Sequence, residues 1–310
     1  MKPALASTTP LKRLSHVWDA ETFADEPLAP KTSVRVGGNA ELYVRPRSID
    51  GLLEVLKTAR AENLPLTLLG GGANTLVGDG GVRGITLKLP ADFLPEEVRL
   101  SSSEGRLTIG AGAAIARLIQ LAKLKGLVGA EFLAGIPGTI GGAAAMNAGT
   151  KMGECMSVVE ALEIATPDGI GWTERSALLC RYRQTTLPEG GVVTRVRFLL
   201  PEGDLIKSTA QMDADLSYRK RTQPLSLPNF GSVFQNPPGD FAGRLIEAAG
   251  LKSFTIGRAQ ISAVHANWIV NLGGCTARDI LSLMELASAR VRDLTGIELR
   301  PEVKRVGVFE

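Results

Sequence analysis

The chain has 310 residues, room for a buried core and for about two domains at roughly 150 residues each. Its 35 Lys and Arg against 32 Asp and Glu leave a formal charge of +3, so no broad cationic face is available to grip nucleic acid or an anionic membrane. With 44% apolar and 22% charged residues the bulk of the chain is not disordered, and the anomaly is 35 glycines that cluster without a G-X-Y repeat.

Three cysteines, Cys155, Cys180 and Cys275, are odd in number and form no C-x-x-C, which suits a reducing, cytoplasmic setting. Residues 132–150 are uncharged, but five glycines and a proline argue against a membrane-spanning helix there. Residues 1–20 lack the apolar run of about 7 residues that a secretory leader needs, and read as a flexible N-terminal tail.

From Ser48, the stripe Leu52, Val55, Leu56 and Ala59 predicts an amphipathic helix with Ser48 as its cap. Residues 65–69 and 84–89 read as strands around a glycine-rich loop that opens on Gly70, Gly71, Gly72, Ala73 and Asn74. A strand over residues 106–112 runs into glycine, and Ile115, Leu118, Ile119 and Ala122 line a helix ending at Gly126. After a second glycine cluster, two strands meet at the turn Pro167-Asp168-Gly169, and residues 190–200 form another strand. The polar, proline-bearing residues 201–228 mark a change of texture, which puts a domain boundary near Leu200. Beyond it lie a short helix around residues 241–250 and a long one opened by the capping pattern Thr276-x-x-Asp279, with Ile280, Leu283, Met284, Ala287, Val291 and Leu294 on one face.

Successive glycines let backbone N–H groups turn toward one point and let a ligand approach without Cβ interference. The first cluster does not complete G-x-G-x-x-G, because Thr75 stands where the last glycine would and a strand follows; no G-x-x-x-x-G-K-[ST] exists either. The second, Gly135-Ile136-Pro137-Gly138-Thr139-Ile140-Gly141-Gly142, carries no charge over eight residues. One such cluster reads as a tight connection, but two together are better explained by close contact with a large flat ligand. Two distant histidines, His16 and His265, without H-E-x-x-H give no metal site, and no G-x-S-x-G elbow points to a serine hydrolase.

The blocks TSVRVGG, LLGGGANTLVGDGGVRG, GAEFLAGIPGTIGGAAAMNAG, YRQT, RTQPL, NFGSVFQNPPGDFAGRLIEAAGLK, HANWIVN and LRPEVKRVG, taken in this order over residues 31–307, resemble the UDP-N-acetylenolpyruvoylglucosamine reductase family. The resemblance implies an α+β protein: an FAD-binding fold of the vanillyl-alcohol-oxidase (PCMH) type in two α+β subdomains over residues 21–200, then an α+β substrate-binding domain over residues 201–310. It implies FAD as cofactor, held by the two glycine clusters (Gly70, Gly71, Gly72, Ala73 and Asn74; Gly135, Ile136, Pro137, Gly138, Thr139, Gly141 and Gly142), NADPH as reductant and a UDP-sugar as substrate. In the family, the enolpyruvyl ether of UDP-N-acetylglucosamine is reduced to UDP-N-acetylmuramate for peptidoglycan synthesis. Arg183 of YRQT and Glu302 of LRPEV match the positions that face the developing carboxylate charge, and Ser232 of the GS-x-F block matches the proton donor. Arg219, Asn236 and His265 are implied substrate contacts. No extra tyrosine-bearing loop lies between Thr185 and Arg219, as in the type II branch. One departure is Gln235, a neutral amide where the family has lysine before the asparagine. The competing reading keeps the fold and makes the chain an FAD-dependent oxidase or dehydrogenase of another alcohol or hydroxy acid.

Overall fold

The computed structural model describes residues 18–309. The chain divides into two compact units that interleave in sequence: one takes the residues up to Ala24 with Leu42–Gly71 and Gly84–Ser217, the other Asp25–Glu41, Gly72–Arg83 and Tyr218–Glu310. Most of the expected tail, residues 1–17, lies outside the described residues. Trp18 is already buried and donates Nε1–H to Thr58 Oγ1 at 3.3 Å, and a strand starts at Ala20.

In the first unit, helix α1 (Ile49–Ala61) begins where its cap dictates: Ser48 Oγ accepts from Gly51 N at 3.1 Å. Its buried stripe, Leu52, Val55, Leu56 and Ala59, shares a core with Leu42, Val44, Ile85 and Leu87. The strands involved belong to a four-stranded sheet ordered Ala20–Pro27, Asn39–Pro46, Val82–Leu87, Leu66–Leu68. Three of these strands contain the points at which the chain passes from one unit to the other.

The larger sheet of this unit is antiparallel, ordered Gly169–Glu174, Val159–Thr166, Val192–Pro201, Glu104–Gly110, Glu97–Leu100. Period-2 alternation gives it two faces. Leu107, Ile109, Val196, Phe198 and Leu200 are buried in one core with residues of α2 (Ile115–Leu124) and α3 (Ile140–Ala145). The opposite face is charged: Arg195 reaches Glu163 at 2.6 Å and Glu97 at 2.9 Å, and Arg197 lies 4.1 Å from the centroid of the Trp172 ring. Helix α3 was not foreseen, because Ile-Gly-Gly-Ala-Ala-Ala carries two poor helix formers and no periodic stripe.

The segment of changed texture, residues 201–228, contains an 18-residue helix, α4 (Leu205–Thr222). Asp204 Oδ1 accepts from Ile206 N at 2.9 Å and Lys207 N at 3.0 Å, which caps its start. Only Ser208 and Met212 are buried, so it has no apolar stripe for a sequence reading to find. Ser208 Oγ donates to Glu131 Oε1 at 2.6 Å, and the break between the units falls inside the helix, after Ser217.

A buried carboxylate, Glu163, and a half-buried one, Glu131, make this unit acid-sensitive. Burial alone would raise the Glu163 carboxyl, but hydrogen bonds from Arg195 and Thr194 outweigh it, and the pKa lies below the ordinary 4.5. Glu131 is lowered in the same way, burial being overcome by Ser208 and the Gly129 N–H. A carboxyl with a depressed folded pKa stabilises fully above its unfolded value, and that stability is lost as pH falls through the folded value. Thermal unfolding followed by tryptophan fluorescence should therefore show a Tm that falls from about pH 5 toward pH 3, with Glu163→Gln flattening the slope over that range. A pH-independent Tm over that range would contradict this account.

The second unit is built on α6 (Ala277–Thr295), the helix announced by Thr276 and Asp279, whose reciprocal capping box is present. It stops at Gly296, which sits at φ 74° and donates N–H to the Arg292 carbonyl. Asp79, in a turn beyond the first glycine cluster, accepts from Ala277 N at 2.8 Å and Arg278 N at 2.9 Å, so that turn serves to cap α6. Ile280, Leu283 and Met284 of α6 share a core with Leu245 and Ile246 of α5 (Ala242–Ala248). A three-stranded antiparallel sheet (Thr255–Ile256, Ala259–Ile261, Ile269–Asn271) contributes Ala259, Ile261 and Ile269 to the same core. Thr75–Val77 pairs in parallel with Lys304–Val306. Among the described residues no helix is long and apolar enough to cross a membrane.

Candidate active site

In the first unit, Gly70 and Gly71 lie against the second glycine cluster. A Cβ on Gly71 would stand 2.7 Å from Gly138 Cα and one on Gly70 3.0 Å from Thr139 Oγ1, so the two loops meet backbone to backbone. Gly135 and Gly138 have φ of 73° and 126°, values that favour glycine. The second loop is laced to residues 111–115: Ile140 N donates to the Ala113 carbonyl and Gly141 N to the Ala111 carbonyl, both at 2.8 Å. Gly142 N donates to Thr139 Oγ1 at 3.3 Å. Three N–H groups of this loop are thus used within the protein, two by residues 111–113 and one by Thr139. Gly70, Gly71 and Gly141 leave no room for a Cβ against Thr139, Gly138 and Ala111, so what the two loops offer a flat ring system is uncharged backbone poor in side chains.

Arg183 belongs to the same unit. It is the second residue of a two-residue turn between Cys180–Arg181 and Gln184–Thr185, at φ 59°, a left-handed conformation rare for an arginine. Its guanidinium carbon lies 4.9 Å from the centroid of the Tyr182 ring. Arg195 and Arg197, close by in sequence, are instead engaged with Glu163, Glu97 and Glu160 on the charged sheet face.

In the second unit the segments carrying Ser232 and Glu302 run side by side. Phe234 and Pro301 form an antiparallel bridge, Glu302 N donates to the Val233 carbonyl at 2.8 Å, and Gln235 N to the Arg300 carbonyl at 2.9 Å. Two asparagines hold this arrangement. Buried Asn267 stands in for a strand: its Oδ1 accepts from Phe234 N at 3.0 Å and its Nδ2 donates to the Phe234 carbonyl at 2.8 Å. Asn74 Nδ2 donates to the Glu302 carbonyl at 3.1 Å and its own carbonyl accepts from Lys304 N at 3.0 Å. In its own cluster, Gly72 is at φ 65° and its carbonyl accepts from Ser33 N at 3.1 Å. Asn267 was not singled out from the sequence, although it lies in the HANWIVN block; a buried asparagine between two segments shows no periodicity.

Of the expected substrate contacts, Asn236 Oδ1 accepts from Ala242 N at 3.0 Å and so caps α5. Arg219 is half-buried near the end of α4, its Nε donating to Gln223 Oε1 at 3.1 Å, and burial draws its pKa downward. His265 packs where Gly243 leaves room, a Cβ there falling 2.8 Å from its Cε1. Burial, helped by Lys252, lowers its pKa, and Nδ1 accepts from Asn267 N at 3.2 Å, which leaves the proton of the neutral ring on Nε2.

A side-chain-poor loop pair on an α+β scaffold is the setting of a flavin-binding oxidoreductase, and the family model for an FAD binding domain matches residues 40–173. The fold alone is shared with Physcomitrella patens BBE-like 1, at 14% identity and TM-score 0.57 over 92% of this chain and 89% of that one. The model for the C-terminal domain of UDP-N-acetylenolpyruvoylglucosamine reductase matches residues 223–306. The Myxococcus xanthus enzyme of that name is 62% identical over 100% of this chain and 98% of its own length. The crystal structure of UDP-N-acetylenolpyruvylglucosamine reductase from Thermus caldophilus superimposes with TM-score 0.79 at 35% identity, covering 93% of this chain and 99% of that one. The chain belongs to the UDP-N-acetylenolpyruvoylglucosamine reductase family.

Proposed function

We propose that this chain carries out its family's reaction, the NADPH-dependent reduction of the enolpyruvyl ether of UDP-N-acetylglucosamine to UDP-N-acetylmuramate for peptidoglycan synthesis, with Arg183, Ser232 and Glu302 as catalytic residues. FAD, when bound, would supply the redox chemistry that connects NADPH to hydride addition at C3 of the enolpyruvyl group. That addition drives negative charge onto the substrate carboxylate, so a fixed cation there gains more as the charge develops than in the ground state. Arg183 has the planar fork that matches a carboxylate, and Glu302 is the acid that hydrogen-bonds beside it. Ser232 delivers the proton to C2; an alcohol is a weak acid, so the transfer needs a charged neighbour. The observation that carries this reading is the pairing of residues 233–235 with 300–302, which sets Ser232 and Glu302 on adjoining segments.

Gly70 to Asn74, Gly135 to Thr139, Gly141 and Gly142 hold FAD. Arg219 and Asn236 bind the sugar nucleotide, and the Nε2–H of neutral His265 donates to it. Gln235 leaves the diphosphate one cation short of the family's pattern. The absence of the extra tyrosine-bearing loop supports the type II branch, and three free thiols support a cytoplasmic setting.

The test is colour. Purified protein should absorb in the visible as a flavoprotein, NADPH should bleach it, and the enolpyruvyl sugar nucleotide should restore the colour under anaerobic conditions. A colourless protein that FAD does not reconstitute sinks the proposal. Reoxidation by oxygen at a rate indifferent to the sugar nucleotide would favour the oxidase reading.

A further inference from the structure

Two residues per strand are too few for a hairpin to hold its own shape, yet the Arg183 turn carries an arginine in the strained left-handed conformation. The fold compensates by gripping both arms. On one arm, Asn147 Nδ2 donates to the Arg181 carbonyl at 3.1 Å; on the other, buried Thr185 donates Oγ1–H to the Ala144 carbonyl at 2.6 Å. Both grips come from one place, the C-terminal end of α3, the helix that begins inside the second glycine cluster.

Asn147 is 2% exposed, and its hydrogen-bonding capacity matches its surroundings group for group. Its Oδ1 accepts from Met156 N at 3.0 Å, one Nδ2 proton goes to the Arg181 carbonyl, and the other to Glu154 Oε2 at 2.8 Å. It also sits at φ 45°, a conformation asparagine tolerates better than most residues. An aspartate of the same shape would offer no proton to either acceptor and would face the Glu154 carboxylate.

We infer that Asn147 is a positioning residue for Arg183: with Thr185 it ties the arginine's turn to the glycine loop, so that the guanidinium and the flavin-side backbone move as one rigid piece. This rests on Arg183 being catalytic, as proposed above. Misplacing a charge-stabilising group by about 1 Å can cost about 10²-fold in rate.

The experiment is a double-mutant cycle on the FAD-loaded enzyme with separate half-reactions. Asn147→Asp should lower kcat for sugar-nucleotide reduction by about 10²-fold. NADPH bleaching should stay within twofold of wild type. In an Arg183→Ala background the same change should cost less than a further twofold. Thr185→Val should reproduce the defect and Thr185→Ser relieve it, which decides the matter if Asn147→Asp fails to fold. Wild-type kcat in Asn147→Asp and Thr185→Val, or losses that multiply with Arg183→Ala, would overturn the inference while leaving Arg183 catalytic. Unchanged turnover in Arg183→Ala itself would mean that the reading of Arg183 has failed, and the inference with it.

Discussion

Replacing Ser232 by alanine should leave an enzyme that folds, binds FAD and is bleached by NADPH at the normal rate, but reduces the enolpyruvyl sugar nucleotide about 10²- to 10⁴-fold more slowly. The structure makes this a clean experiment. The segment around Ser232 is held by backbone and asparagine bonds: Val233 N to the Asn267 carbonyl, the Val233 carbonyl from Glu302 N, and both Phe234 backbone groups to the Asn267 side chain. None of these bonds uses the serine hydroxyl, and Ser232 is only half-buried, so the substitution opens no core cavity. If the hydroxyl delivers the final proton, the loss falls on kcat in the half-reaction that consumes the sugar nucleotide, with KM little changed. Stopped-flow absorbance separates the two halves. Turnover within threefold of wild type would remove Ser232 from the mechanism.

Arg183→Lys is the second large effect. Lysine and arginine meet the same backbone penalty at φ 59°, so the hairpin is strained equally in both proteins and only the head group differs. A compact ammonium cannot make two parallel bonds to a carboxylate, and it is more strongly hydrated than the guanidinium that lies by the Tyr182 ring. Sugar-nucleotide reduction should fall by about 10²- to 10³-fold in kcat, the size of losing one preorganised partner of a developing anion. NADPH-driven bleaching should be untouched. A lysine variant with normal kcat and raised KM would assign Arg183 to ground-state binding alone.

Some of this protein is written locally, and there the sequence sufficed. Helix α1 starts at Ser48 and α6 at Thr276 because a cap needs only residues three apart, and the stripes Leu52 to Ala59 and Ile280 to Val291 need only a helical period. The hairpin at Pro167-Asp168-Gly169 is equally local. The ordered motif blocks identified the family because they are short runs whose composition is unusual in itself.

What escaped is what depends on partners far along the chain. Helix α4 has almost no buried face, so nothing in its residues repeats with a helical period. The second unit takes in Asp25–Glu41 and Gly72–Arg83 as well as the C-terminal third, an assembly that no change of texture along a linear sequence can reveal. The split is physical: Asp79 caps a helix about 200 residues away, and Asn271 donates to the Val34 carbonyl at 2.9 Å. The site divides along the same line. Motif blocks pointed to Arg183, Ser232 and Glu302, but only the folded chain brought the Ser232 and Glu302 segments together and tied the two arms of the Arg183 turn to Asn147 and to the Ala144 carbonyl. A buried asparagine is chosen to satisfy donors and acceptors that the chain supplies from elsewhere, and that demand exists only once the tertiary structure has formed.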